Sequence, residues 1–248
     1  MSHNILITGA SRGIGAATAL LAASKGWNVC VNFHANEQAA QQIVDEITAL
    51  GVKAIAVQGD VGVEKDIVRL FQRFDDEFGS LDALINNAGI LDKQMPLAEM
   101  SAERMSRIFT TNILGSFLCA REAVRRMSTD TGGKGGVIVN VSSGAARLGS
   151  PNEFIDYAAS KGAIDTMTIG LSKEVADQGI RVNAVRPGLI DTDMQAASGE
   201  PDRAIRMRNA IPMKRAGTVQ EIAQTILWLA SNEASYLTGS LVDVTGGR

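Results

Sequence analysis

The sequence predicts an α/β protein built on a doubly wound parallel sheet of about seven strands. Two observations carry this. Short, nearly continuous apolar runs recur at 5–8, 28–33, 54–57, 83–86, 137–141, 182–185 and 241–244, the pattern of strands buried on both faces. Helical patterns separate these runs along the whole chain, and such alternation places helices on both faces of a parallel sheet.

Each element has a local reason. The run 5–8 leads through a glycine cluster into a helix expected over 16–25. After 28–33, Asn36 stands as an N-cap before Ile43, Val44, Ile47 and Leu50 at helical spacing. After 54–57, Ile67, Leu70, Phe71, Phe74 and Phe78 form a second stripe, closed by Gly79 as a C-cap. Ser101 opens a third helix, with Arg104 rather than Glu at N3. The stretch 191–211 is polar, contains methionines and lacks a clean period, so a loop or short-helix excursion is expected there. A helix after Thr218 carries Ile222, Ala223, Ile226, Leu227, Leu229 and Ala230, with Trp228 at an angle to that stripe. The run 241–244 should then lie at the sheet edge. With no internal repeat and no linker, residues 1–248 are expected to form one domain.

Composition removes several function classes. Twenty-four Lys and Arg stand against 27 Asp and Glu, a net charge of −3 with no strong basic block, so no footprint for nucleic acid is present. Cys30 and Cys119 are the two cysteines, which excludes a disulfide scaffold or a Cys-rich zinc site and fits a reducing compartment. His3 and His34 lack cysteine or paired-carboxylate company, so no metal site is expected. Residues 1–4 (MSHN) offer no charged n-region, and no apolar run reaches membrane length. A soluble, cytoplasmic protein is expected, with neither membrane nor nucleic acid as a partner.

Thr8-Gly9-Ala10-Ser11-Arg12-Gly13-Ile14-Gly15 joins the first strand to the first helix. Glycines there let the backbone approach a pyrophosphate at a helix N-terminus, where free N–H groups and the helix dipole favour anions. The spacing is G-x3-G-x-G, and a glycine-rich turn that merely joins strand to helix is the plainer reading. An acid bonding the ribose 2′-OH would stand at the end of the second strand. Residues 31–36 (VNFHAN) hold neither Asp nor Glu, while Arg12 and His34 are suited to a 2′-phosphate, unless Arg12 is simply a solvated turn residue. NADP is therefore expected in preference to NAD, with dual use open.

Tyr157-Ala-Ala-Ser-Lys161 puts a phenol and an ammonium one helical turn apart. A nearby cation favours the phenolate and lowers the phenol's pKa, which suits acid/base work; a surface pair is the bland alternative. A serine at the end of the strand 137–141 sits where parallel sheets bind ligands. Alternation along that strand does not separate Ser143 from Ser142. Asn112 falls within a helix, a poor place for Asn, so it either kinks the helix or has a task. Pro187 and Gly188 either turn against a ligand or merely end their strand.

Taken together, Thr8–Gly15, Asp60-Val61, Asn86-Asn87-Ala88-Gly89, Asn112, Ser143, Tyr157-x3-Lys161 and Pro187-Gly188 with Thr192 resemble the short-chain dehydrogenase/reductase family over essentially the whole chain. The resemblance implies a Rossmann-type fold. It implies Tyr157 as proton donor and acceptor, and it selects Ser143 as the hydroxyl orienting the substrate oxygen. Lys161 would bond the nicotinamide ribose and depress the Tyr157 pKa, and Asn112 would hold a water linking Lys161 to solvent. Asp60 and Val61 would flank the adenine, Asn87 to Gly89 the adenosine side, and Pro187, Ile190 and Thr192 the nicotinamide end. The loop 144–156 is one residue longer than in 3-oxoacyl carrier-protein reductases and looks more like the glucose/ribitol dehydrogenase-like branch.

The expected function is an oxidoreductase interconverting a secondary alcohol and a carbonyl by hydride transfer, on a small sugar, polyol or ketone. The nearest rival is a 3-oxoacyl carrier-protein reductase, for which Arg121, Arg125 and Arg126 would offer a docking patch if they were not a solvated helix face. A rival of another class is a non-catalytic dinucleotide-binding regulator, against which the complete Ser143–Tyr157–Lys161 set argues. Family members of this length commonly form tetramers, so a homotetramer is expected, with a dimer as the lesser assembly.

Overall fold

The computed structural model describes residues 3–192, 199–200 and 203–248, with the backbone alone at 204 and 205. Seven parallel strands make one sheet: β1 (Asn4–Ile7), β2 (Asn28–Phe33), β3 (Ala54–Gln58), β4 (Ala83–Asn86), β5 (Gly136–Val141), β6 (Ile180–Pro187) and β7 (Leu241–Val244). Their spatial order is β3-β2-β1-β4-β5-β6-β7. The order reverses between β1 and β4, and in such sheets ligands bind at the carboxyl ends of the strands beside that switch point. All seven expected runs are strands. β6 is longer than its apolar stretch, because Arg181 and Arg186 lie half-buried on a strand whose other residues are buried.

Strand side chains alternate between two cores. On one face Ile5, Ile7, Val29 and Val31 meet α1 (Gly13–Ser24), α2 (Glu37–Ala49) and the C-terminal helix. On the other, Leu6, Cys30, Leu84 and Ile138 meet α3 (Glu64–Phe78), α5 (Gly115–Met127) and α7 (Ile155–Glu174). Alanines 19, 22 and 23 are the buried residues of the last part of α1, so that helix packs by close approach. The Phe71 and Phe74 rings are fully buried and anchor α3; truncating either to Ala should cost about 3–5 kcal/mol.

The caps read from the sequence form. Asn36 accepts from the Ala39 N–H at 3.0 Å and Ser101 from the Arg104 N–H at 3.2 Å. Gly79 ends α3 at φ 77°, a backbone angle that a side chain would strain. The first helix begins at Gly13, three residues before the expected start, so Gly13 and Gly15 belong to its first turn.

α4 (Ala102–Phe109) runs into α5 through a π-helical turn, Thr110–Leu114. α6 (Ala145–Leu148) is a single turn after β5. Of the stretch 191–211, residues 193–198 and 201–202 lie outside those described. Its later part forms the short helix α8 (Arg203–Met207) and a 3-10 turn. α9 (Val219–Ala230) starts at a capping box between Thr218 and Glu221, and β7 follows at the sheet edge. Among the described residues no helix is long and apolar enough to cross a membrane.

Candidate active site

The carboxyl ends of β1, β4, β5 and β6 open onto one cavity of about 480 Å³. At its β1 side the glycine turn is stitched to β4. Asn87 Nδ2 donates to the carbonyls of Thr8 and Gly9 at 2.9 and 3.0 Å, and the N–H groups of Asn87 and Ala88 both donate to Thr8 Oγ1 at 3.0 Å. A Cβ on Gly15 would lie 2.6 Å from Asn87 Nδ2 and from the Gly9 oxygen, and one on Gly9 would lie 3.0 Å from the Ala88 Cα. Two backbone segments thus meet where only glycine fits. No side chain caps α1, so its first N–H groups face the turn as an anion site would require. Ser11 and Arg12 lie in this turn; Arg12 is exposed, and its guanidinium has no hydrogen-bond or ion-pair partner among the described residues. These features fit a dinucleotide pyrophosphate.

At the adenosine end β2 is enclosed through its last residue. Phe33 closes β2 inside the core at 4% exposure, so it faces no ribose. Asn32 is likewise buried, accepting from the Gly9 N–H at 3.2 Å and donating to the Gly59 carbonyl at 3.1 Å. The exposed residue is His34, whose Nε2 lies 3.7 Å from Asp60 Oδ2. A carboxylate therefore reaches this corner from the end of β3, although β2 supplies none. Asp60 is held by its own turn, accepting from the Gly62 N–H at 2.8 Å, and Val61 is buried against Gly115.

At the β5 end the two serines part. Ser142 Oγ donates to the Lys161 carbonyl at 3.2 Å and is buried. Ser143 Oγ accepts from the Ala145 N–H at 3.1 Å, and its hydroxyl stands near enough to the Tyr157 phenol to oppose the upward shift of that phenol. Of the two serines, Ser143 is the one beside the phenol. Tyr157 and Lys161 are one turn apart on α7, and both line the cavity.

Burial dominates the electrostatics of the pair. Burial raises the Tyr157 phenol above its ordinary value, and the Ser143 hydrogen bond offsets only part of that. Lys161 Nζ stands 5.7 Å from the ring centroid and donates to the Val141 carbonyl at 2.7 Å. Burial also pushes the Lys161 ammonium down to about 8, with Asp165 opposing. Desolvation acts on both groups in the direction of neutrality.

Asn112 sits in the π-helical turn, fully buried. Its Oδ1 accepts from the Ile90 N–H at 2.8 Å, and its Nδ2 donates to the Ile90 carbonyl at 3.0 Å and to Ser160 Oγ at 3.0 Å. It both interrupts the α-helix and clamps the loop after Gly89. A Cβ on Gly89 would lie in ordinary contact with Lys161 Nζ at 3.4 Å and Asn112 Oδ1 at 3.5 Å. Pro187, Ile190 and Thr192 line the cavity. Gly188 does so as well, and packs so closely on Thr245 that a Cβ would lie 2.7 Å from its Cα.

Several lining residues were not singled out from the sequence: Leu91, Phe154, Arg203, Met207, Thr245 and Arg248. Thr245 follows β7, so its place at a strand's carboxyl end was a usable signal; Phe154 lies in the loop 144–156 and Arg203 and Met207 in the stretch 191–211, segments expected to shape the pocket, while Leu91 and Arg248 carry none. Beneath the site a buried ladder joins Asn86 to Asn140 at 3.0 Å and Asn140 to Thr168 at 2.9 Å. The arginines 121, 125 and 126 form no free basic patch. Glu122, which is buried, pairs with all three, and Glu64 and Asp75 take two of them further.

A family model described as enoyl-(acyl carrier protein) reductase matches residues 9–248. An uncharacterized oxidoreductase of Escherichia coli K12, YgfF, is 55% identical, with 98% of each chain covered. Among solved structures, 3-ketoacyl-(acyl-carrier-protein) reductase from Brucella melitensis, complexed with NADH, is 31% identical at a TM-score of 0.92, over 99% of this chain and 98% of that one. Acetoin dehydrogenase YohF from Salmonella typhimurium is 33% identical at 0.86, over 100% and 97%. The chain belongs to the short-chain dehydrogenase/reductase family, and its fold is that family's single seven-stranded parallel sheet. It is an oxidoreductase of the kind acting on CH–OH and C=O groups, in a family that binds a nicotinamide dinucleotide.

Proposed function

We propose that this chain, acting as one domain over residues 1–248, is an NADP-preferring oxidoreductase interconverting a secondary alcohol and a ketone. The substrate is a small sugar, polyol or ketone. The observation that carries the reading is the convergence of Ser143 and Tyr157 hydroxyls and the Lys161 ammonium on one wall of the cavity. A bound dinucleotide supplies the hydride chemistry. Tyr157, kept protonated by burial, gives its proton to the carbonyl oxygen in the reductive direction, and Ser143 donates a hydrogen bond to that oxygen. Lys161 reaches the nicotinamide ribose. Asn112 fixes the loop that carries Gly89.

The NADP preference is supported by the exposed, unpaired Arg12 and by the absence of a carboxylate across residues 31–36. A homotetramer is supported by Trp228 at 39% exposure, by the fully exposed Tyr236, and by the exposed Phe109, Leu114 and Phe117 around the π-helical turn. A cytoplasmic location fits the two free, buried cysteines. The carrier-protein reading draws on the similarity to the Brucella reductase, but the three arginines it would use for docking are already paired within the chain.

The test is a panel of sugars, polyols, small ketones and 3-oxoacyl thioesters, followed by the near-ultraviolet absorbance of NADPH and NADH. Turnover of a ketone or polyol is expected. Turnover of thioesters alone would move the assignment to the acyl-carrier reaction. Dinucleotide binding with no turnover of any class would support a regulator.

A further inference from the structure

A buried ion pair stands one residue from the phenol. Asp156, in the first turn of α7, has a side chain with no exposure, and that of Arg104 on α4 is 6% exposed. The pair is forked: Arg104 Nε donates to Asp156 Oδ2 at 2.7 Å and Nη2 to Oδ1 at 3.3 Å. Arg104 Nη1 donates to the Lys93 carbonyl at 2.5 Å, and Asp156 Oδ1 also accepts from the Tyr157 N–H at 2.9 Å. Each nitrogen of the guanidinium and each oxygen of the carboxylate makes at least one hydrogen bond.

We propose that the Arg104–Asp156 pair is a positioning device that holds the Tyr157 hydroxyl in register with the Ser143 hydroxyl and the wall that includes Gly89 and Leu91. Two facts favour this over a purely structural role. A buried ion pair is a poor source of stability, because well-packed apolar side chains of the same volume do as well or better. Its contacts are also confined to three pieces of the site. α7 brings Tyr157. α4 runs within eight residues to Asn112, which clamps Ile90. The Lys93 carbonyl belongs to the same loop as Ile90 and Leu91. A guanidinium fork fixes direction as well as distance, which a lysine does not. The proposal rests on Tyr157 serving as the acid/base.

Three variants and two readouts test it. Arg104→Lys keeps the charge without the fork, Asp156→Asn keeps the shape without the charge, and Arg104→Met/Asp156→Leu replaces the pair by apolar volume. In each folded variant kcat should fall at least about tenfold, with KM and dinucleotide Kd within about twofold. The double variant should unfold no earlier than the parent while its kcat stays low. The chain has two tyrosines, and Tyr236 is fully exposed. Ring-labelled tyrosine should therefore give two NMR signals, of which only the Tyr157 signal moves or broadens in Arg104→Lys. This readout needs no turnover, so it judges the clamp even if the parent turns over none of the panel. A double variant with parental kcat, or an unmoved Tyr157 signal in Arg104→Lys, would overturn the proposal.

Discussion

Lys161 Nζ on α7 donates to the Val141 carbonyl at the end of β5 at 2.7 Å, inside the protein. The ammonium is thereby tied to the strand that leads to Ser143, and Lys161 is buried to 4% exposure at the cavity wall. Burial pushes it from 10.5 down to about 8. Between those values the unfolded chain carries a proton that the folded chain lacks, so stability rises with pH across that window. Below about pH 8 both states are protonated and the full cost of burying the charge is present, on the order of 3 kcal/mol. Lys161→Met has no proton to exchange. The stability of the parent relative to this variant should grow by that amount from pH 8 to above 10, measured by urea unfolding at each pH. A difference that stays flat with pH would contradict the buried charge.

The glycine turn makes a steric statement that binding can check. Gly15→Ala places a methyl 2.6 Å from Asn87 Nδ2 and the Gly9 oxygen. It should cost about 1–3 kcal/mol by overpacking and weaken dinucleotide binding at least about tenfold, read by calorimetry. Gly13 has open space around its Cβ direction but sits at φ 58°. Gly13→Ala should therefore cost only backbone strain, roughly 1–2 kcal/mol. Dinucleotide binding weakened no more by Gly15→Ala than by Gly13→Ala would refute the close approach at Gly15.

Cofactor choice is expected to favour NADPH. Phe33 is in the core, so a carboxylate placed there would test folding instead of recognition. Ala35, exposed just beyond β2, is the better site. Ala35→Asp should move the preference toward NADH by setting a negative charge against the 2′-phosphate, and Arg12→Ala should weaken NADPH more than NADH. Titration of protein fluorescence decides both, and tighter binding of NADH by the unaltered protein would reject the preference.

Assembly is checked separately. Trp228 is 39% exposed on α9, next to the edge strand β7. Trp228→Glu should lower the assembly state before it lowers helix content. Light scattering that returns a monomer near 26.2 kDa for the parent would reject the tetramer and leave the chemistry untouched.

How much of this was legible in the sequence follows from what each signal measures. The strands, Asn36, Ser101 and Gly79 were legible because apolar runs and caps act within a few residues. Tyr157 and Lys161 were legible because four residues span one helical turn. The choice of Ser143 over Ser142 was not, since at the end of a strand alternation no longer sets where a hydroxyl turns. Its partner, the Tyr157 hydroxyl, comes from another element. The burial of Phe33 escaped because β2 is enclosed through its last residue. The Arg104–Asp156 pair spans 52 positions of sequence, and only the packing of α4 on α7 brings it together. The upward shift of Tyr157 escaped for a related reason: a neighbouring lysine is visible in sequence, whereas the depth of burial is not.

The central claim is that the Tyr157 hydroxyl carries the proton of carbonyl reduction. Tyr157→Phe removes that oxygen and leaves the ring against its neighbours, so dinucleotide affinity should stay within about twofold. The most direct measurement is kcat for this variant on the best ketone of the panel, beside its dinucleotide Kd. A fall of about 10²–10⁴-fold in kcat with Kd preserved is the expected result, and a kcat equal to the parent's would contradict the account.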